Sequence, residues 1–329
     1  MEQRKISMII ILAVMLIVTA AAALSGNGTI PFGQIMQQLF SPGNSAEGFI
    51  IRELRLPRVI LAMICGGALG AAGAVLQSVL RNPLASPDLL GISAGGGCAG
   101  LLVLLWFPAL MPFMGIAVFC GALAVTVLIC LAAWKRNYSP LQLILTGVAL
   151  SALFGTFSSI MLIMASERYT AVFDFLLGGF ANASWQQIKY FAPGAVVSII
   201  AAMMMAKKLD ILALGEDTAA NLGVNVTQMR LLALAVAALG AASVSGAAGM
   251  LGFAGLIAPH TVRLLGRSGA NSFIIPAGAL AGAELVVLGD WLGQRLFQEM
   301  YNVPAGVFLS GCGAVFFIFL LATAEKGES

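Results

Sequence analysis

The sequence predicts an all-α integral membrane protein with about ten spanning helices, and composition and length together predict it. Apolar residues make up 60% of the 329 positions and charged residues only 9%, with a mean hydropathy of +0.98. No water-soluble domain of this length covers itself with so little charge. A helix needs about 20 apolar residues to cross a bilayer, so the length with its loops allows about ten crossings. The chain reads as one transmembrane domain, 1–329, without room for a separate soluble unit. The 38 glycines fit, because helices packed in lipid use small residues for close approach.

Taken in order, the predicted spans are 6–25, 57–80, 91–108, 113–134, 141–165, 190–207, 229–250, 254–266, 274–297 and 304–324. The first follows Arg4 and Lys5 and could be taken for a signal peptide ending near Ala21-Ala22-Ala23. Its apolar core, Met8 to Leu24, is longer than a usual signal core and many spans follow, so it reads as a retained helix. The second begins at Pro57, a residue suited to a first helical turn. The eighth is short. An even number of crossings puts both termini on one side. Eleven basic residues (Arg4, Lys5, Arg81, Lys135, Arg136, Lys207, Lys208, Arg230, Arg263, Arg267, Lys326) then share the side of the N-terminus, against six (Arg52, Arg55, Arg58, Arg168, Lys189, Arg295) on the other. The positive-inside rule makes the eleven-residue side cytoplasmic. The net charge of +3 adds nothing to this, and no feature supports a nucleic-acid partner.

The five cysteines (Cys65, Cys98, Cys120, Cys130, Cys312) all fall in apolar stretches with no C-x-x-C pair, and read as small buried hydrophobes. No metal site is expected. Gly91-Ile-Ser93-Ala-Gly95 matches the nucleophile elbow G-x-S-x-G, with the single histidine, His260, later in the chain, but the soluble strand–turn–helix context is missing. Gly95-Gly-Gly97-Cys-Ala-Gly100 matches G-x-G-x-x-G inside an apolar span, not after a strand. Both are better explained as small-residue packing, like Gly66-x-x-x-Gly70. No lysine follows a glycine in a P-loop pattern, so ATP is not bound here by that route.

Intramembrane polar residues are few: Glu284 and Asp290 in the ninth span, His260 and Arg263 in the eighth. Two acids six residues apart on one helix do not share a face closely. An ion-coupled secondary transporter using them, and a membrane-embedded enzyme using Ser93 and His260, are the readings from other classes. His260, after Pro259, suits capping of carbonyls freed by the proline as well as it suits a ligand.

The break at 207–230 is a compact polar insert with helix signals. Glu216 and Asp217 suit the first turn of a short helix. Thr218 to Leu222 continue it, and Gly223 ends it in a left-handed cap. Asn225 caps a second helix running through Gln228 into the next span. By residue pattern alone this is either an amphipathic surface loop or a helix–turn–helix that takes force from outside.

Six segments together carry a resemblance: Arg52-Glu-Leu-Arg55-Leu-Pro57-Arg58, GGALGAAGAVLQSVLRNPLASPDLLGISAG at 66–95, FLLGGFANASW at 175–185, LGEDTAANLGV at 214–224, GMLGFAGLIAPHTVR at 249–263, and NVPAGVFLSG at 302–311. In this order they closely resemble the iron-siderophore, haem and vitamin B12 permeases of bacterial ABC importers, the FecCD/BtuC type. The resemblance implies a BtuC-like (type II importer) permease fold of ten helices in the bacterial cytoplasmic membrane, with both termini cytoplasmic. It implies a second permease subunit, identical or paralogous, two cytoplasmic ATPase subunits that hold ATP and Mg, and an external substrate-binding protein. No cofactor is expected on this chain, and it is not expected to be an enzyme.

Coupling helices at about 209–228 are implied to sit in a cleft of the ATPase. Leu214 and Leu222 would make apolar contact, Ala219 and Ala220 close packing, and Glu216 and Asp217 ion pairs, between Gly215 and the Gly223 cap. Arg52, Arg55, Arg58 and Arg295 at outer helix ends are implied to dock an acidic binding protein; the other reading gives them to lipid headgroups or neighbouring loops. The cargo pathway is implied along the fifth helix, through Thr146, Ser151, Ser158 and Ser159, with an inner gate near Asn137, Ser139 and Pro140 and an outer part near Ser166 to Gly179. Sparse polar lining suits a large chelate in a smooth channel, and iron would travel inside its chelator.

Overall fold

The computed structural model describes residues 2–26, 31–40, 45–133, 139–164, 172, 175–296 and 303–324. Among these are thirteen α-helices: α1 (Glu2–Ser25), α2 (Phe32–Phe40), α3 (Ala46–Phe49), α4 (Leu56–Val79), α5 (Ile92–Trp106), α6 (Met114–Ala133), α7 (Pro140–Met164), α8 (Trp185–Ala213), α9 (Glu216–Asn221), α10 (Val226–Ala248), α11 (Ala254–Gly266), α12 (Asn271–Leu296) and α13 (Ala305–Ala324). Ten of them, all but α2, α3 and α9, coincide with the ten predicted spans. Among the described residues, six helical stretches are long and apolar enough to cross a membrane by length and composition.

Helix α4 is the centre of the bundle. It packs on α12, α8, α10 and α11, and most of its side chains are buried. The close approach rests on missing side chains. A Cβ on Gly66 would lie 2.3 Å from the carbonyl oxygen of Gly282, and one on Gly70 would lie 2.1 Å from that of Gly278. Gly66-x-x-x-Gly70 therefore meets a second small-residue face, Gly278-x-x-x-Gly282, backbone to backbone. The glycines at 95–100 make room for neighbouring side chains instead. A Cβ on Gly95 would strike Val125 of α6, and one on Gly100 would strike the Phe175 ring.

Two boundaries differ from expectation. Pro57 does not open its helix: α3 runs through a π-helical turn, Ile50–Arg55, into α4. Wider hydrogen-bond spacing just before a proline accommodates its missing N–H. Helix α8 also continues past 207 to Ala213, so the first residues of the predicted insert belong to it. Its 29 residues exceed a hydrocarbon core of about 30 Å at about 1.5 Å per residue, which carries Lys207, Lys208 and Asp210 beyond the apolar layer. The Asp210 carboxylate accepts the backbone N–H groups of Asn271 and Ser272, the latter at 3.3 Å, and caps α12.

At 15 and 13 residues, α5 and α11 are too short to cross alone. Non-helical connections complete their crossings from opposite ends. The 80–91 connection rises beside α11, where the Pro87 ring and the Leu69 carbonyl both lie about 3 Å from where a Gly255 Cβ would sit. The 249–253 connection descends to the same level. Irregular backbone at such depth is tolerated only when buried in protein.

Candidate functional site

Helix α9 forms a surface with a built-in stop. The Val224 N–H donates to the Ala219 carbonyl and the Gly223 N–H to that of Ala220, both at 2.9 Å. This is a Schellman cap, with Gly223 at φ 82°. Asn225 then caps α10, its side chain accepting the Gln228 N–H at 3.0 Å. The cap fixes what faces outward. Leu214 and Leu222 are 67% and 60% exposed, and Asp217 and Ala220 are exposed between them. Gly215, at φ 125° and ψ 152°, turns the chain out of α8 in a conformation open to glycine.

Two residues expected on that surface make contacts within the chain. Ala219 is fully buried against its own chain, so it offers no packing surface to a partner. Glu216 accepts Arg230 Nη2 at 2.6 Å, with the Arg230 side chain only 7% exposed. That ion pair braces α9 on α10 while Glu216 stays 44% exposed beside the exposed Asp217. Sequence reasoning missed it because Arg230 looked like a flanking charge of the next span. The adjoining Arg81 was missed as well: its guanidinium donates to the Leu212 carbonyl at 3.1 Å, tying the end of α4 to the last turn of α8, just before α9.

At the opposite end of the bundle the four arginines separate. Arg58 forms a two-point ion pair with Asp290, Nε to Oδ2 at 2.8 Å and Nη2 to Oδ1 at 2.9 Å, with side chains 19% and 6% exposed. Its geometry is that of an internal brace between α4 and α12, which corrects the expectation that it is presented outward. Arg55 donates to the Leu24 carbonyl at 3.0 Å and closes the end of α1. Arg52 donates to the Gly48 carbonyl at 3.2 Å within its own helical turn. Arg295 is exposed, its guanidinium lying 5.2 Å from the Trp291 ring centroid.

The other intramembrane polar groups are also placed. Glu284 accepts the Thr19 hydroxyl at 2.8 Å and joins α12 to α1. A cavity of about 530 Å³ opens there between α1, α11 and α12, away from α7 and α13. Arg263 donates to Gln77 Oε1 at 2.6 Å and holds α11 to the end of α4. Ser93, the would-be nucleophile, hydrogen-bonds Asp88. His260 stands edge-on to Phe316 at 5.6 Å. Neither of its ring nitrogens has a hydrogen-bond partner among the described residues, so it does not cap the carbonyls freed by Pro259.

Helix α7 is largely open, burying only Leu143, Gly147 and Met161. Its buried edge lies on α5 and the turn before it: Gly147 meets Leu90, Ser151 lies beside Gly91, and Ser158 faces Cys98. Ser151 and Ser158 therefore sit toward α5, not on the open face. Thr156 and Ser159 are on the open face, their hydroxyls bonded back to the carbonyls of Ala152 and Gly155 at 2.8 and 2.9 Å. Ser139, Pro140 and Thr146 are partly exposed at its first turns. Asn137 and most of the predicted outer part (166–171, 173 and 174) lie outside the described residues.

The family model for the FecCD transport family matches residues 10–323. The Fe(3+)-citrate import system permease protein YfmE of Bacillus subtilis is 36% identical over 325 residues, covering 97% of this chain and 96% of that one. The ferric enterobactin transport system permease protein FepG of Escherichia coli is 31% identical, covering 92% and 91%. Among solved structures, an inward-facing metal-chelate type ABC transporter superposes with a TM-score of 0.85 at 25% identity, covering 96% of this chain and 99% of that chain.

Proposed function

Because this chain belongs to the FecCD transport family, we propose that it is the permease subunit of an ATP-driven importer of iron-siderophore complexes or a similar metal chelate. Its import systems' relatives carry ferric citrate and ferric enterobactin in name. The observation that carries the reading is the capped α9 surface, with Leu214, Asp217, Ala220 and Leu222 exposed on a helix braced by Glu216 and Arg230. That is the shape of a rigid knob for a cleft in another protein. The partner is an ATPase subunit, two per transporter, carrying the ATP and Mg that this chain has no P-loop to bind. The eleven-to-six distribution of basic residues makes the α9 face cytoplasmic, with both chain termini on it.

A second permease subunit, identical or paralogous, covers the open faces of α7 and α13, and the chelate passes between the two subunits. The back-bonded hydroxyls of Thr156 and Ser159 leave a wall with few free donors, suited to a large cargo that must not stick. An external binding protein delivers the chelate to the face that carries Arg295. The ion-coupled alternative loses its motif, because Asp290 is paired with Arg58 and Glu284 is bonded to Thr19.

The test is the energy source. Reconstituted vesicles with the ATPase and binding-protein subunits should take up ferric chelate only with ATP on the α9 side, and uptake should survive collapse of the proton gradient. Uptake that persists without ATP and stops with an uncoupler returns Glu284 and Asp290 to the centre of the mechanism.

A further inference from the structure

The 80–91 connection touches three parts of the machine within twelve residues. At its start, Arg81 donates to the Leu212 carbonyl, two residues before the exposed Leu214 of the α9 surface. At its end, Leu90 and Gly91 press on α7: the Leu90 Cα lies 2.7 Å from where a Gly147 Cβ would sit, and a Gly91 Cβ would lie 2.8 Å from Ser151 Oγ. Between them stands Asp88. Its carboxylate accepts the Ser93 hydroxyl, which fixes the first turn of α5. It also faces the backbone N–H of Phe253, the residue that opens α11 in a left-handed conformation at φ 64°.

Phe253 leads on to α13. A Cβ on Gly313 would lie 2.3 Å from Phe253 Cγ, so ring and helix are in direct contact. Gly252 lies between Asp88 and Ser310 of α13, its Cβ position 4.0 Å from Asp88 Oδ2 and 3.9 Å from Ser310 Oγ. A non-glycine residue at positive φ costs free energy and persists only where its surroundings hold it. Here Asp88 is one such hold. The carboxylate thus joins the two irregular connections that complete the α5 and α11 crossings, at the level where α7 and α13 pass.

We propose that the 80–91 connection transmits movement of the α9 surface to α7 and α13, and that Asp88 is its positioning residue. The path is Leu212, Arg81, the 80–91 backbone, Asp88, then Phe253 to α13 and Gly91 to α7. The proposal rests on α9 being the ATPase-facing surface. Asp88 touches neither nucleotide nor cargo in this scheme; it keeps two segments moving as one so that a push at the foot of α9 opens the space between subunits. Backbone segments buried without such a tie would slide separately, and hydrolysis would proceed with less transport.

The experiment measures chelate transported per ATP hydrolysed in proteoliposomes holding the full importer, for Asp88→Ala, Asp88→Asn and Ser93→Ala. In the same preparations a cysteine at Leu222 is crosslinked to the ATPase. The expected result is a ratio lowered roughly tenfold by Asp88→Ala, the factor equivalent to one or two lost buried hydrogen bonds. Asp88→Asn, which keeps one acceptor oxygen, and Ser93→Ala, which removes one donor, should fall between it and the wild type. Should Asp88→Ala fail to assemble, Ser93→Ala decides, since it removes one hydroxyl and little volume. An unchanged ratio in the assembled variants, with Leu222 crosslinked, overturns the transmission role. Absence of the Leu222 crosslink in the wild type instead overturns the α9 reading on which it stands.

Discussion

Arg58 and Asp290 lie 232 positions apart and meet in a two-point ion pair, 2.8 and 2.9 Å long, that pins the start of α4 to the last turns of α12. Gln294 adds a third donor to Asp290 Oδ2 at 2.9 Å. The pair is mostly buried at 19% and 6% side-chain exposure. Removing one partner from such a pair leaves an uncompensated charge and costs about 3–5 kcal/mol, whereas an apolar replacement of both is often neutral. Arg58→Ala and Asp290→Ala should each lower the thermal unfolding temperature of the detergent-purified permease, and Arg58→Met with Asp290→Leu should recover much of it. An Arg58→Ala protein as stable as wild type would show that the pair contributes nothing to the fold.

Gly223 gives the coupling surface its sharpest test. A Cβ there would meet nothing within 4 Å, so any effect of substitution comes from its φ of 82° and not from crowding. A β-branched residue in that region costs roughly 1–2 kcal/mol, while asparagine is tolerated better. Gly223→Val should distort the cap and lower transport per ATP hydrolysed, with insertion and dimer formation intact. Gly223→Asn should lie close to wild type. If Gly223→Val transports at the wild-type rate, the cap does not serve coupling.

The parts of this architecture that were legible in the sequence are those set by neighbours along the chain. Gly223 and Asn225 announce their caps within a few residues, and the small faces at 66–70 and 95–100 carry their spacing with them. What sequence reading missed depends on distant partners. Nothing near Arg58 points to Asp290, nor does anything near Glu216 point to the burial of Arg230. Polar Lys207, Lys208 and Asp210 looked like the start of a loop, because hydropathy reports the edge of the lipid and not the end of a helix. Asp88 sits between two predicted spans, just before Gly91 and Ser93, and drew no attention in the sequence. Its meaning depended on Phe253, whose left-handed backbone no residue preference announces.

Glycine substitutions should separate the internal core from the outward faces of α7 and α13. A Cβ at Gly73 would lie 1.7 Å from the Gly255 carbonyl oxygen, so backbone must move, and Gly73→Ala should abolish recovery of folded protein. Gly155 on α7 and Gly311 on α13 meet nothing within 4 Å in this chain. Gly155→Leu and Gly311→Leu should therefore fold as single subunits but impair pairing with the second permease subunit, read as a shift from dimer to monomer in light scattering. Dimers of wild-type stability in both variants would place the subunit contact elsewhere.

Docking of the binding protein now rests on Arg295 more than on its three companions. Arg55 closes α1, Arg52 bonds its own turn, and Arg58 is paired with Asp290. Arg295 alone of the four is exposed, its guanidinium 5.2 Å from the Trp291 ring centroid. A charge at such a site can be reversed with little effect on folding, yet it repels an acidic partner. Arg295→Glu should weaken capture of the loaded binding protein severalfold, with expression unchanged, since an exposed pair contributes about 0–1 kcal/mol. The difference from wild type should shrink as salt rises, because the Debye length falls from about 10 Å at 0.1 M to about 3 Å at 1 M. Arg58→Glu should differ in kind, reducing the amount of folded permease before any binding is measured. Equal affinity of Arg295→Glu and wild type at low and high salt would assign this arginine to lipid headgroups.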